Sequence, residues 1–369
     1  MNDRLRANVL RMTPYTPGKP IDEVKRELGL TEVVKLASNE NPLGPSPKAV
    51  EAVANAAKAM HLYPDAGGYD LKLAISETFG VGMDEVMIGN GSDELIHLLG
   101  LVFLEPGDNV VIGSPSFVRY DAAAELSDVE LRRVPLDADW RHDLGAMATA
   151  CDERTKLVFV ANPHNPTGTV LTHSEVATFL DALPEGVVAV LDEAYFEYSA
   201  GLEDRLDAVS LIAGGLNVVV LRTFSKAYGL AGIRVGFGIA SAAIIDAVNR
   251  AREPFNVNSL AQAAAIAALG DPDHLDESVR VNLDGLSRVS QAMREWGFET
   301  VPSRANFICV NVRRNGGEVF QALLREGVIV RSGVPLGMPE YIRVSIGTPA
   351  EMDAFLAAFE RVVVGVGVK

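Results

Sequence analysis

The sequence contains little cysteine and has no excess of positive charge. Cys151 and Cys309 are the only two cysteines in 369 residues, so we expect two reduced thiols rather than a disulfide framework or a paired-cysteine metal site. The six histidines are scattered and show no H-E-x-x-H spacing, which disfavours a zinc enzyme. The formal net charge of −16 disfavours nucleic acid and anionic membrane surfaces as partners.

Long hydrophobic runs are also missing. The longest, LIHLLGLVFL at residues 95–104, contains His97 and has about half the length needed to cross a bilayer. The first residues, MNDRLRANVL, lack the apolar core of a secretory signal. We therefore expect a cytoplasmic protein that does not insert into membranes.

Short apolar runs alternate with helical segments along most of the chain. EVMIG, NVVIG, KLVFVAN, VVAVLDE and NVVVLRT are rich in β-branched residues. They predict an α/β fold with a mostly parallel sheet covered by helices on both faces. The length favours more than one domain. We expect an N-terminal arm (1–44), a large ligand-binding domain (45–268) and a smaller α+β domain (269–369) against which the arm packs.

Polar residues follow the carboxyl ends of four predicted strands, where open α/β sheets bind ligands. The segments are GNGSDE, ANPHNPTG, DEAYFEY and RTFSK. GNGSDE combines glycines with a helix start, which favours phosphate binding. Glu94 occupies the last glycine position of a dinucleotide fingerprint, so a nicotinamide cofactor is disfavoured. Simple capping of the helix by Ser92 or Asp93 is the alternative.

Lys226 is the central residue of the last of these segments. A lysine partly removed from water at a strand end is a good nucleophile toward carbonyl groups. Thr223 and Ser225 can donate to phosphate oxygens, and Arg234 offers a fork that fits phosphate. Asp192 can pair with a protonated ring nitrogen. An amine that can form an imine, an acid for a pyridinium and a phosphate cup together predict pyridoxal 5′-phosphate.

Several motifs resemble those of a known family. NPHNPTG, DEAYFEY and TFSKAYGLAGIRVG, in this order, resemble fold-type I pyridoxal-phosphate aminotransferases. LASNENPLG, YPD, GNGSDE and AREPFN are similar to the histidinol-phosphate aminotransferase branch, and the resemblance extends over essentially the whole chain. It implies that Lys226 forms the internal aldimine and then moves a proton, and that Asp192 pairs with the pyridine nitrogen.

The resemblance also implies the roles of further residues around the cofactor. The phosphate would be held by the backbone of Gly91, Ser92 and Asp93 together with Thr223, Ser225 and Arg234. Phe117 would stack on the pyridine ring, and Tyr195 and Asn165 would hydrogen-bond its phenolic oxygen. Tyr63 would reach the cofactor phosphate of the partner subunit, which implies a homodimer. One departure from the family pattern is His164, beside Asn165, where relatives usually carry asparagine.

Two arginines and one tyrosine bear on the substrate. By the same resemblance, Arg343 binds the anionic end of the substrate, Arg331 lies beside it, and Tyr15 lines the same pocket with Asn165. The implied reaction moves an amino group between L-histidinol phosphate and 2-oxoglutarate in histidine biosynthesis, giving imidazole acetol phosphate and glutamate. Surface ion pairs for the arginines and arm packing for Tyr15 are the structural alternatives.

Other functions fit the same scaffold. An aromatic-amino-acid aminotransferase, or an enzyme that accepts both substrates, could use the same anion-binding arginines. A threonine-phosphate decarboxylase and a non-catalytic protein that binds pyridoxal phosphate are more distant alternatives. The sensor alternative would require a basic DNA-binding segment, for which the chain has no spare length.

Overall fold

The strands of this protein fall into three sheets. The structure is a computed structural model, and it describes residues 4–14 and 19–365. The strands are β1 (Val34–Lys35), β2 (Val86–Gly89), β3 (Asn109–Ser114), β4 (Glu130–Pro135), β5 (Thr155–Ala161), β6 (Val188–Asp192), β7 (Val218–Thr223), β8 (Gly236–Ala240), β9 (Phe307–Asn311), β10 (Val328–Ile329), β11 (Arg331–Ser332) and β12 (Tyr341–Ser345).

Helices connect most of these strands. They are α1 (Ala7–Arg11), α2 (Ile21–Leu28), α3 (Pro47–Ala56), α4 (Tyr69–Phe79), α5 (Ser92–Phe103), α6 (Val118–Ser127), α7 (Leu144–Ala150), α8 (His173–Asp181), α9 (Ala208–Ala213), α10 (Ala242–Ala251), α11 (Ser259–Leu269), α12 (Pro272–Glu295), α13 (Gly316–Arg325) and α14 (Pro349–Phe359). Short 3₁₀ turns include Phe196–Ser199 and Ala231–Ile233. No helix within 4–14 and 19–365 has both the length and the apolar composition needed to cross a bilayer.

The large sheet has the strand order β2-β8-β7-β6-β5-β3-β4. Strands β3 to β7 run parallel to one another, and β8 is antiparallel to both of its neighbours, β2 and β7. Every residue of β6 and β7 is buried, because helices cover both faces of the sheet. The predicted α/β fold with a mostly parallel sheet is therefore confirmed.

The two faces of this sheet pack against different sets of helices. Leu191 and Val220 belong to a core that includes Leu71 of α4. Val190 and Leu221 belong to the opposite core, which includes Tyr120 of α6. Successive side chains of a strand point to opposite faces, so neighbouring residues at the strand ends also face in opposite directions.

A separate core lies in the C-terminal part of the chain. It gathers apolar residues of α12, α14 and the antiparallel strands β9 and β12. β11 extends the same sheet, in the order β11-β12-β9. β1 pairs in parallel with β10. This pairing brings the segment that follows α1 and α2 to the C-terminal core. α1 instead contacts α6, because Asn8 Nδ2 donates to the carbonyls of Glu125 and Leu126 at 2.8 and 3.1 Å. We propose that the division into arm (1–44), large domain (45–268) and small domain (269–369) follows these cores.

Candidate active site

A cleft of about 460 Å³ opens where β5, β6 and β7 end. Most of the residues that the sequence predicts for the site line it together: Ser92, Asp93, Phe117, Asn165, Asp192, Tyr195, Thr223, Ser225, Lys226, Arg234, Arg331 and Arg343. Tyr15 lies outside the described residues, although Thr13 and Pro14 line the cleft. The parallel topology thus brings together side chains that are far apart in sequence.

Asp192 is a buried carboxylate at the end of β6. It is 4% exposed, and its Oδ2 accepts a hydrogen bond from the Tyr120 hydroxyl at 2.6 Å. Its Oδ1 accepts from the backbone N–H of Ala194 at 3.1 Å. Burial raises the pKa of Asp192 to about 6, while these hydrogen bonds and the charge of Lys226 act in the opposite direction. A carboxylate held this way in a cleft fits a cationic partner.

Tyr195 places its hydroxyl between two amide groups. Asn39 Nδ2 donates to it at 2.9 Å, and Asn165 Nδ2 lies 3.4 Å away. Asn39 has a left-handed backbone, with φ 56°, and its side-chain oxygen accepts from Ser345 Oγ at 2.9 Å. Asn39 therefore joins strand β12 to the Tyr195 hydroxyl.

Lys226 lies in the turn after β7. Its Nζ is 3.5 Å from the carbonyl oxygen of Ser38 and 5.6 Å from the centre of the Tyr195 ring. Gly229 closes this turn with φ 70°, and a Cβ there would lie 2.2 Å from the carbonyl oxygen of Gly44. The turn is thus packed directly against the segment that follows β1, which leaves the lysine half-buried.

The start of α5 and the turn after β7 form an anion cup. Gly91 precedes the helix with φ 78° and has no side chain to cap it, so Ser92 and Asp93 are the first residues of the helix rather than its cap. Arg234 Nη1 donates to Ser225 Oγ at 3.2 Å, and its Nη2 lies 3.3 Å from Asp93 Oδ2. A Cβ at Gly91 would lie 2.5 Å from Arg234 Nη2. The backbone N–H groups at a helix start and a guanidinium suit a phosphate group.

Arg331 and Arg343 face each other across the antiparallel pair of β11 and β12. Directly opposed residues of such a pair point to the same side, and both side chains line the cleft. Arg343 is 8% exposed and donates to Asn165 Oδ1 at 2.6 Å and to the Ala37 carbonyl at 3.3 Å. No carboxylate in the described part of the chain pairs with Arg331. The two guanidinium groups thus give this cleft a second cationic region.

An aromatic pair covers another wall of the cleft. Phe117 immediately precedes α6, and its ring meets Tyr120 edge-on with 5.7 Å between the ring centres. Tyr120 stacks in turn on Phe159 of β5 at 4.6 Å. Neither Tyr120 nor Asn39 was predicted from the sequence. Tyr120 could have been found from its i, i+3 spacing from Phe117 at the start of a helix, and Asn39 from its place within the motif LASNENPLG.

Tyr63 does not line this cleft. It is 82% exposed, and its ring stacks on that of Phe255 with 4.7 Å between the ring centres. Met60 and Leu62 are also exposed beside it in the sequence. This location leaves the role of Tyr63 in a partner's site a prediction.

The chain is similar to known proteins over nearly its whole length. The family profile described as aminotransferase class I and II matches residues 31–359. A histidinol-phosphate aminotransferase of Moorella thermoacetica is 46% identical over 359 residues, covering 97% of this chain and 93% of the relative. Histidinol-phosphate aminotransferase 2 of Pseudomonas aeruginosa is 48% identical over 356 residues, covering 96% of each chain.

A solved structure is similar over the whole fold. The crystal structure of histidinol-phosphate aminotransferase from Sinorhizobium meliloti, in complex with pyridoxal 5′-phosphate, is similar with a TM-score of 0.91 and 30% identity. The match covers 99% of this chain and 98% of that one. The chain therefore belongs to the aminotransferase class I and II family, in its histidinol-phosphate aminotransferase branch.

Proposed function

We propose that this protein is a pyridoxal-phosphate-dependent aminotransferase that moves an amino group between L-histidinol phosphate and 2-oxoglutarate. One observation carries the proposal: a lysine, a buried carboxylate, an anion cup and two opposed arginines line the same cleft. The named relatives support the choice of substrate.

The residues present fit pyridoxal 5′-phosphate. The α5 start with Thr223, Ser225 and Arg234 would hold its phosphate. Asp192 would pair with the ring nitrogen, and Tyr195 with Asn165 would bond the phenolic oxygen. Phe117 would cover the ring face. When bound, the cofactor acts as an electron sink for the pair released as the substrate loses its Cα proton.

Three side chains of the chain itself would manage the protons. Lys226 would carry the cofactor in the resting enzyme and, once the substrate amine replaces it, its Nζ would take the proton from the substrate Cα. Asp192 would keep the ring nitrogen protonated, which stabilises the negative charge that develops in the transition state. Tyr195, held by Asn39 and Asn165, would keep its hydroxyl fixed toward the cofactor.

Arg331 and Arg343 would hold the anionic end of each substrate. Histidinol phosphate ends in a phosphate and glutamate in a carboxylate, so one cationic region can serve both half-reactions. Arginine suits both groups because its planar fork matches their oxygens. The bond from Arg343 to Asn165 links this region to the residue that contacts the cofactor.

We further propose that the enzyme is a cytoplasmic homodimer in which Tyr63 reaches the partner's cofactor phosphate. The exposed position of Tyr63 and its distance from the cleft of its own subunit support this role. Both cysteines are free thiols, which suits a reducing compartment.

The decisive experiment compares substrates on the purified enzyme. With 2-oxoglutarate as acceptor, kcat/KM for histidinol phosphate should exceed that for phenylalanine and tyrosine by about 10²-fold or more, because the smaller carboxylate makes poorer use of two guanidinium groups. Comparable values for all three would identify a broad aromatic aminotransferase. No turnover with any amino donor would contradict the proposed function.

A further inference from the structure

Glu193 and Arg222 form a buried ion pair directly behind the cleft. Arg222 Nε and Nη2 lie 2.9 and 2.7 Å from Glu193 Oε2. Their side chains are 0% and 2% exposed, and neither residue lines the cleft. A buried ion pair is weak evidence for stability, because the cost of removing two charges from water can exceed their attraction. The location of this ion pair behind the cleft suggests a role in the active site rather than in stability.

The pair joins the ends of two neighbouring strands. Asp192 ends β6 and is followed by Glu193, while Arg222 and Thr223 end β7. Asp192 and Thr223 line the cleft. Because side chains alternate along a strand, Glu193 and Arg222 point to the other side of the sheet. The backbone N–H of Glu193 also donates to the Leu221 carbonyl at 2.8 Å, so side chains and backbone fix the same junction.

Arg222 also holds the residue that follows Tyr195. Its guanidinium carbon lies 3.5 Å from the centre of the Phe196 ring, and that of Arg205 lies 3.6 Å from the same centre. Arg205 Nη2 donates to the Phe196 carbonyl at 2.6 Å. The segment that carries Tyr195 is therefore held on both sides, at Glu193 and at Phe196.

We infer that Glu193 and Arg222 are positioning residues, which fix Asp192 and Tyr195 relative to the turn that carries Lys226. The inference rests on the proposed function. Lys226 and Asp192 belong to different strand ends, so their separation depends on the junction that this ion pair closes. A misplacement of about 1 Å in a catalytic group can lower the rate by about 10²-fold.

The test uses the full-length holoenzyme with Glu193→Gln and Arg222→Lys. The first removes one charge but keeps the shape, and the second keeps the charge but loses the guanidinium fork. Val111→Ala serves as the control, since Val111 is fully buried in the core on the same side of the sheet but lies on β3. The measurements are the visible spectrum of the bound cofactor as a function of pH, the Kd for pyridoxal 5′-phosphate, the thermal midpoint and kcat.

We expect both variants to lower kcat by about tenfold or more, with a smaller change in KM. The pH midpoint of the spectral change should move, and the cofactor Kd should rise by about tenfold, because the groups that hold the ring lose their alignment. Val111→Ala should lower the thermal midpoint alone.

The results distinguish a failure of the positioning role from a failure of the proposed function. If both variants lose thermal stability as the control does but keep the wild-type spectral midpoint and cofactor Kd, the positioning role is wrong. Should neither variant fold, Glu193→Asp, which keeps the charge and shortens the side chain, must show the same spectral change or the inference fails. A wild-type protein that binds no cofactor would overturn the proposed function instead.

Discussion

Tyr120 donates a hydrogen bond to Asp192, with 2.6 Å between the hydroxyl and Oδ2. Tyr120 is fully buried, and Asp192 nearly so. Burial raises the pKa of Asp192 to about 6, and the Tyr120 bond opposes that rise. Tyr120, which lies on helix α6, thus helps to keep the carboxylate of Asp192 at the end of β6 ionised at neutral pH.

Tyr120→Phe should therefore impair catalysis without removing any group that we assign to cofactor contact. Without the hydroxyl, the pKa of Asp192 rises further, so its neutral form persists to higher pH. We expect kcat to fall by about tenfold, as for the loss of one hydrogen bond to a charged group. The acid limb of the kcat profile should move to higher pH. Tyr198→Phe, at another buried tyrosine, should leave that limb in place, and an unmoved limb in Tyr120→Phe would contradict the assigned role.

Lys226→Ala should abolish turnover, because the proposed base for the Cα proton is lost. Borohydride reduction of the wild-type holoenzyme should fix one pyridoxyl group per subunit on the peptide that contains Lys226. Mass spectrometry after digestion checks the position of the group. A label on Lys72, which is partly buried at another location, or normal turnover by the variant, would exclude Lys226 as the attachment site.

Arg343→Met should weaken substrate binding more than cofactor binding. The loss of a buried, charge-assisted contact to an anion costs about 2–4 kcal/mol, or roughly 30- to 10³-fold in KM for histidinol phosphate. The cofactor Kd should change less than this KM does, because Arg343 reaches the cofactor region only through its bond to Asn165. Arg288→Met, at an exposed ion pair with Asp353, is the control. An unchanged KM in Arg343→Met would remove it from the substrate site.

The sequence predicted the parallel core strands because β-branched runs buried on both faces have a distinct composition. Two strands of the large sheet were missed. β4, ELRRVP, lies at the sheet edge and is largely exposed, so it lacks the apolar run. β8, GFGIA, is rich in glycine because β7 and β2 approach closely on both sides: a Cβ at Gly238 would lie 2.4 Å from Met87 Cε and 3.2 Å from the Val220 carbonyl. Glycine is a weak strand signal, although here close packing requires it.

Within the site, the sequence indicated the functional residues at the strand ends. It did not indicate the residues that position them. Lys226, Asp192 and Arg234 belong to motifs with recognisable chemistry. Tyr120 and the Glu193–Arg222 pair are ordinary residues whose importance comes from tertiary neighbours. No local pattern encodes which helix residue meets Asp192, since that depends on how α6 packs on the sheet.

Glu197 gives a test of stability against pH. It is buried, and burial raises its pKa from 4.5 to about 7, against the effect of the Arg222 and Arg205 charges. The unfolded chain releases this proton near pH 4.5, whereas the folded protein keeps it until about pH 7, so stability falls as pH rises between these values. Glu197→Gln has no proton to release. Its free energy of unfolding should gain about 3 kcal/mol relative to wild type between pH 4.5 and pH 8.

Urea unfolding at the two pH values measures this difference. Glu253→Gln, at an exposed position, should keep a constant offset from wild type. A constant offset in Glu197→Gln as well would mean that folding does not raise the pKa of Glu197.

Tyr63 allows a test of the proposed sharing of active sites between two subunits. Its ring is 82% exposed and rests on Phe255, outside the cleft of its own subunit. If it serves the partner's cofactor, Tyr63→Ala should raise the cofactor Kd by about tenfold or more, as for the loss of a hydrogen bond to a charged phosphate.

Lys226→Ala should be inactive by itself. At a cofactor concentration too low to saturate Tyr63→Ala, mixing the two variants under conditions that exchange subunits should raise activity above that of Tyr63→Ala alone, because one site of each hybrid then has both an intact Lys226 and an intact Tyr63. Mixing Lys226→Ala with Asp192→Ala, whose two residues line the same cleft, should restore nothing, since every site in that hybrid lacks one of them. Activity of the first mixture that does not exceed that of the Tyr63→Ala protein it contains would show that Tyr63 does not cross to the partner.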